Sequence, residues 1–385
     1  MVTSFFHKHR QQTVAGFFFF LLLAATAGCG SEEASEPETS SETNIRERIE
    51  NELTFDDVTL KQLNSAGERL WTVEAIEAAY NQSRSVASVK NPQGDLYQEG
   101  QVAYEVEGDT GTIYEDGKKI VLQGNVIAKQ KKDGAVLYGD EMEWYPQQDL
   151  LLVRGNLRGV QEQTEVLAKE GKVYNQQSRV ELSGDVVMTD KDARVRLKTQ
   201  QVVWELDAER ASSETQVNIE RYAQDNPEQI RDRATANRGE VQLDQEIATL
   251  QQNAEVVLGD PPITVNSDRL EWNIQQATVN APTAVTMFHR QQEFTLQGDQ
   301  GLLDLQQRTL FAKGNVVATS ALDESRLESN RLLWNLEAET FTATGEVFYR
   351  QSDPAMTSTG PQAKGRLQEQ QIVLEGGRVV TEIVP

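Results

Sequence analysis

From residue 102 onward, apolar and polar positions alternate in short runs of period two. In one run Ile120, Leu122, Gly124, Val126 and Ala128 share one side, and Lys119, Gln123, Asn125 and Lys129 take the other. Val180, Leu182, Gly184, Val186 and Met188 repeat the pattern, as do Phe341, Ala343, Gly345, Val347 and Tyr349. A strand sends successive side chains to opposite faces, so these runs predict strands with one apolar face. Turn-forming clusters separate them, at Glu115-Asp116-Gly117, Lys132-Asp133-Gly134, Tyr145-Pro146-Gln147-Gln148 and Asn175-Gln176-Gln177. Helical periodicity is confined to Asn44–Glu52.

The runs carry a repeated Gly-x-Val signature: Gly124-Asn125-Val126, Gly155-Asn156-Leu157, Gly184-Asp185-Val186, Gly314-Asn315-Val316, Gly345-Glu346-Val347 and Gly377-Arg378-Val379. Thr215-Gln216-Val217, Ala254-Glu255-Val256 and Thr283-Ala284-Val285 read as degenerate copies, which makes the spacings 31, 29, 31, 39, 29, 31, 31 and 32. Trp144, Trp204, Trp272 and Trp334 each precede every second copy by 11 residues, so the unit is a pair of copies. Many short, regularly spaced strands predict an all-β fold, either a two-sheet antiparallel β-jelly-roll of about 30-residue repeats or a β-solenoid. An inward-facing glycine inside a strand marks either a bend or a place where a ligand approaches the backbone. The single long spacing, around Gln224-Asp225-Asn226-Pro227, is the expected boundary or insertion and divides the body into 50–222 and 231–385.

Composition narrows the chemistry. An apolar share of 38% with 7% aromatic residues suits thin sheets better than one thick core. The chain has 37 basic and 60 acidic residues, for a net charge of −23. Such a surface binds neither nucleic acid nor an anionic bilayer through a basic patch. With His7 and His9 near the N-terminus, only His289 is left in the body, and Cys29 is the single cysteine. Disulfides, thiolate or histidine-rich metal sites and a Cys-His pair are therefore excluded. His289 is expected on the surface, and no G-x-S-x-G elbow accompanies it. Paired carboxylates remain open on residue types alone. No P-loop occurs, and no cofactor is implied.

The N-terminus reads as a targeting segment, with His7-Lys8-His9-Arg10 ahead of the apolar run Val14–Gly28. That run is shorter than the about 20 residues of a membrane span and suits a signal peptide. Thr26-Ala27-Gly28-Cys29 resembles a bacterial lipoprotein lipobox, which implies lipidation of Cys29; Thr26 departs from the usual leucine. The alternative is an uncleaved anchor within residues 1–29. Residues 30–49 follow as an acidic flexible linker, since Ser31–Thr43 holds no large apolar residue.

The stretch Phe55-Asp56-Asp57-Val58-Thr59-Leu60-Lys61-Gln62, with Gly67, Leu70-Trp71, Ala75, Tyr80 and Asn91-Pro92-Gln93-Gly94-Asp95-Leu96, resembles the opening strands of LptC, the membrane-tethered periplasmic component of lipopolysaccharide export. The Trp and Gly-x-Val repeats resemble the organic-solvent-tolerance fold that LptC shares with LptA, and residues 231–385 resemble a fused LptA-like roll. The resemblance implies two V-shaped rolls in line, forming a lipid-transfer bridge in the periplasm and anchored to the inner membrane. It further implies lipopolysaccharide as cargo, an ABC exporter permease and ATPase complex as donor, and an LptA-like bridge or LptD-type outer-membrane translocon as acceptor. Each acyl methylene exposed to water costs about 0.8 kcal/mol, so a lipid needs an apolar path across an aqueous gap. Residues of the glycine parity are the expected groove lining: Leu122, Val126, Leu182, Val186, Val316 and Val347, with Trp144, Trp204, Trp272 and Trp334. Plain core packing accounts for the same residues. Ile372, Val373, Leu374 and Val379 are expected on an exposed sheet edge that pairs with a partner. The rivals are a parallel β-helix enzyme acting on polysaccharide and an inert structural envelope lipoprotein.

Overall fold

The computed structural model describes residues 52–383 except 82–85, 115–117, 133, 193, 227, 243, 246, 274 and 367–370. Cys29, the apolar run, the acidic linker and the turn at Glu115-Asp116-Gly117 lie outside the described residues. So does the helical stretch, apart from Glu52, which opens the strand Glu52–Leu63. All described strand pairings are antiparallel. That overturns the parallel β-helix and supports the roll.

The described residues form two compact units that part between Gly184 and Asp185. The expected boundary at 222–231 falls inside the second unit, where Val217–Tyr222 and Ile230–Ala236 are neighbouring strands with Tyr222 opposite Ile230. The intervening turn closes on itself, with Ala223 N–H donating to Gln229 O and Gln229 N–H to Asn226 O. Polar turn residues look alike in a linker and in a hairpin, and here they make the hairpin.

In both units the strands bend in the middle, and the bend has a repeated construction. Ile120–Gln130 pairs with Val136–Tyr145 through Gln123↔Glu141 and then Val126↔Gly139, leaving Gly124 and Asn125 opposite Asp140 alone. Two residues against one make a β-bulge, with φ +76° at Gly124 and +46° at Asn125. Gly155-Asn156, Gly314-Asn315 and Gly345-Glu346 repeat these positive φ values. Each long strand is thereby split into two half-strands that join different sheets, or arms, of a wedge. Degenerate copies interrupt the strand altogether, between Arg210–Ser213 and Val217–Tyr222 and between Thr278–Ala281 and Val285–His289.

The glycines do not face the apolar interior, and no ligand is needed to explain them. A Cβ on Gly124 would lie 2.6 Å from Asp109 Oδ2, and one on Gly314 would approach Asp299 Oδ2 at 2.4 Å. A carboxylate from the neighbouring segment, between two strands, occupies the place where a side chain would sit. Asn125, Asn156 and Asn315 each donate through Nδ2 to that carboxylate, on Asp109, Asp140 and Asp299, at 2.8 Å. A corner explains the glycine. In the fifth copy the bend falls on Gln252 (φ +63°) and Asn253 (φ +56°), two residues before the expected Ala254. Ala254 then takes the buried position of Val126, and the spacings 39 and 29 become 37 and 31.

The arms of each unit face each other across an apolar filling. In the first unit Leu96 and Tyr104 of one arm and Ile113, Ile120, Met142, Trp144 and Leu151 of the other are all at most 1% exposed. In the second, Val256, Ile263, Leu296 and Val316 face Leu250, Leu270, Leu310 and Trp334.

Candidate functional site

The candidate site is the space between the arms. Leu122, Val126, Val186, Val316 and Val347 are all at most 2% exposed, and Leu182 is buried at 8%. Their neighbours Gln123, Asn125, Asp185, Asn315 and Glu346 are exposed or half-buried. A two-residue bulge preserves parity, which is why alternation read through Gly124 still selects the inner face. Trp144 and Trp334 are fully enclosed, whereas Trp204 and Trp272 are only partly buried. The tryptophan period therefore combines two environments.

Contacts across the wedge show how the arms are held. Trp334 packs edge-on against Phe294 of the opposite arm, with centroids 4.7 Å apart, and lies 5.4 Å from His289. Trp144 lies 6.3 Å from Tyr104. Polar bridges close the open side of the wedge. Tyr104 Oη donates to Asn175 Oδ1 at 2.9 Å in the first unit. In the second, Arg308 reaches Asp260 at 3.0 Å, and the Arg221 guanidinium stands 5.4 Å from the Trp272 centroid.

Near the last strands the filling gives way to a cavity of about 350 Å³. Phe294, Ala318 and Leu327 line it from one arm, and Leu332, Phe341 and Ile372 from the other. Asp323, Glu339 and Arg366 stand at its rim. The strand alternation places Phe341 on the inner face, whereas Phe294 and Leu327 lie outside the runs that carry the signature.

Charge inside the wedge is sparse and partnered. Asp232, 3% exposed, is paired with Arg221 and accepts the Gly259 N–H at 3.0 Å. His289 is buried at 8% exposure, not on the surface as expected. Its Nδ1 accepts the Gln292 N–H at 3.2 Å, and burial, then the positive charge of Arg290, pushes its pKa down. Burial pushes the Asp149 carboxyl up, against a hydrogen bond from Asn175. On the outer face Glu143 accepts from Lys119 at 3.0 Å and Arg154 at 2.7 Å; burial raises its pKa, but these partners and Tyr145 outweigh it and hold it low. No cluster of three or more His, Cys, Asp or Glu suited to a metal occurs among the described residues.

At the C-terminal end Gln371–Glu375 and Val380–Ile383 both pair with Met356–Arg366, and with no other strand among the described residues. Val373 and Val379 are exposed at 49% and 39%, while Ile372 and Leu374 are partly buried against the core. Glu52–Leu63 likewise pairs only with Arg69–Asn81 and exposes Leu53 and Phe55. No helix among the described residues is long and apolar enough to cross a membrane.

No curated protein matches the chain. Among solved structures it is similar to LptH from Pseudomonas aeruginosa, described as the LptA homologous periplasmic component of the conserved lipopolysaccharide transport device. That likeness has 14% identity and a TM-score of 0.19, and covers 38% of this chain and 80% of LptH. The model of the LptC family, described as "Lipopolysaccharide-assembly, LptC-related", matches three stretches, residues 19–137, 134–257 and 259–381. These stretches take in most of the 385 residues, and the chain belongs to the LptC family.

Proposed function

We propose that this protein is a bridge component that carries lipopolysaccharide across the periplasm, with the acyl chains held between the arms of the wedge. The observation that carries this reading is the apolar interior, built from alternate residues of every bent strand and opening into the cavity beside Phe294 and Phe341. Acyl chains transferred there stay out of water. The protein acts by carrying rather than by catalysis. In this reading residues 1–29 deliver it to the inner membrane with Cys29 lipidated, residues 30–49 tether the β units, and an ABC exporter loads them. An LptA-like bridge or LptD-type translocon takes over at the edge formed by Ile372, Val373, Leu374 and Val379.

Photo-crosslinking side chains at Val186 and Val347 test the cargo, with Asp185 and Glu346 as outward-facing controls. The expected result is labelling of lipopolysaccharide at the two valines and not at the controls. Absence of labelling at both valines in cells exporting lipopolysaccharide overturns the reading and leaves an inert envelope roll.

A further inference from the structure

Three indole N–H groups inside the wedges have no hydrogen-bond partner: Trp71 Nε1, Trp144 Nε1 and Trp334 Nε1. Their side chains are 3%, 0% and 1% exposed. Buried donors in folded proteins are nearly always paired, so three unpaired ones of a single kind call for a physical account. Packing alone gives no reason for tryptophan here, since phenylalanine or leucine would fill apolar space without leaving a donor unmet.

Two of the three occupy equivalent places. Trp144 and Trp334 each lie 11 residues before a Gly-x-Val bend, one in each unit. Each faces an aromatic ring of the opposite arm, Tyr104 or Phe294. Phe294 also lines the 350 Å³ cavity together with Leu332, and Trp334, outside the lining itself, packs against Phe294. His289 stands beside Trp334 and Tyr104 beside Trp144, yet neither indole N–H finds an acceptor.

We propose that Trp334, and its counterpart Trp144, donate their indole N–H to the carbonyl oxygens that link acyl chains to the headgroup of the carried lipid. The inference rests on the transport reading above and adds the atoms that recognise the cargo. The ligand it selects has long hydrocarbon chains joined through esters. An ester carbonyl accepts a hydrogen bond and brings no donor that would itself need a partner in the wedge. A hydrocarbon without carbonyls satisfies the apolar walls and leaves the N–H groups unmet. The indoles therefore discriminate at the linkage, whereas Leu122, Val186 and Val347 discriminate only by being apolar.

The test compares two synthetic probes with the full-length protein: a glucosamine phosphate bearing ester-linked tetradecanoyl chains, and its counterpart with the same chains joined by ethers. One hydrogen bond is worth about a five-fold difference in affinity, so wild type should prefer the ester by about five-fold or more. Replacing Trp334 by 3-benzothienylalanine keeps the shape of the ring and removes the N–H; the preference should shrink, and vanish when Trp144 is replaced as well. The indole N–H resonance of Trp334 should move downfield with the ester probe and not with the ether. Trp334→Phe is the fallback if the isostere is poorly incorporated. Binding of both probes with equal affinity by wild type overturns the inference and leaves the transport reading standing, as does a preference that survives both replacements. Failure of both probes to bind overturns the transport reading and the inference with it.

Discussion

Replacing Gly124 by alanine tests the corner directly. The backbone there has φ +76°, a conformation that costs an L-residue about 1–2 kcal/mol. The new Cβ would also stand 2.6 Å from Asp109 Oδ2 and 3.0 Å from Asp109 Cβ. Asp109 must therefore move, breaking the 2.8 Å bond from Asn125 Nδ2. That bond is exposed, so its loss adds about 1 kcal/mol. The total expected is about 2–3 kcal/mol. Gly100→Ala supplies the control, because Gly100 has φ +77° with nothing within 4 Å of where a Cβ would stand, and it should show the backbone strain alone. Asp109→Ala in the Gly124→Ala background should add little further loss, because the clash is relieved and the Asn125 bond is already broken. Urea unfolding of the full chain, with native-state hydrogen exchange across Ile120–Gln130 to localise the effect, measures all four proteins. Equal losses for Gly124→Ala and Gly100→Ala would mean that the Asp109 contact does not shape the corner. An unchanged stability in Gly124→Ala would refute the bend geometry itself.

Val347→Asp should place an unpaired carboxylate in the filling and lower unfolding stability by several kcal/mol, whereas Glu346→Gln at the adjacent outward-facing position should stay within about 0.5 kcal/mol; similar losses at both positions would contradict the inner-face assignment. His289 holds its proton less tightly folded than unfolded, so its contribution is complete above the ordinary value of 6.5 and is lost as pH falls through the depressed folded value. His289→Phe should flatten that part of the stability profile, and an unaltered profile below pH 6.5 would disprove the assignment. Asp149 holds its proton more tightly folded than unfolded, so stability falls as pH rises above its ordinary 3.8. Asp149→Asn, at a position with φ +48° that asparagine tolerates, should raise the thermal midpoint at neutral pH; a lowered midpoint would show that the carboxylate is stabilised there after all.

Alternation makes the inner face legible, because a bulge of two residues leaves parity intact and Leu122 and Val126 remain on one side of Gly124. The partner of each corner is also present in the sequence. Asp109, Asp140 and Asp299 lie 15 residues before Gly124, Gly155 and Gly314, each preceded by a glycine, and that spacing is one strand crossing. The glycines alone do not disclose what fills the place of their missing side chains; the carboxylates at that spacing do. The fifth copy is displaced by two residues from its expected place, since Gln252 and Asn253 adopt positive φ without a glycine to mark the bend. Tyr104 and Asn175, 71 residues apart, meet only after the strands have folded into a wedge. No local pattern predicts that contact. The burial of His289 escapes the sequence for the same reason, as it comes from Trp334 on the opposite arm.

The filled interior bears on how a carried lipid enters. Leu250, Ile263, Leu296 and Leu310 are already packed between the arms of the second unit, so chains are accommodated by exchange and not by occupying a preformed tunnel. Replacing side chain–side chain contacts by side chain–acyl contacts leaves apolar surface out of water on both sides of the exchange, and its net cost is small. What resists separation of the arms is then concentrated in the polar bridges at the open side. Arg308 and Asp260 have side chains 38% and 63% exposed, and such pairs contribute about 0–1 kcal/mol. Tyr104 to Asn175 is one partly buried hydrogen bond, worth about 1 kcal/mol. Arg221–Asp232 is different, because the aspartate side chain is only 2% exposed and cannot be left without its partner. The arms can therefore part readily at Arg308 and Tyr104, while Arg221 and Asp232, both on one arm, move together and leave only the Trp272 face. A wedge held this way has its weakest ties at its mouth.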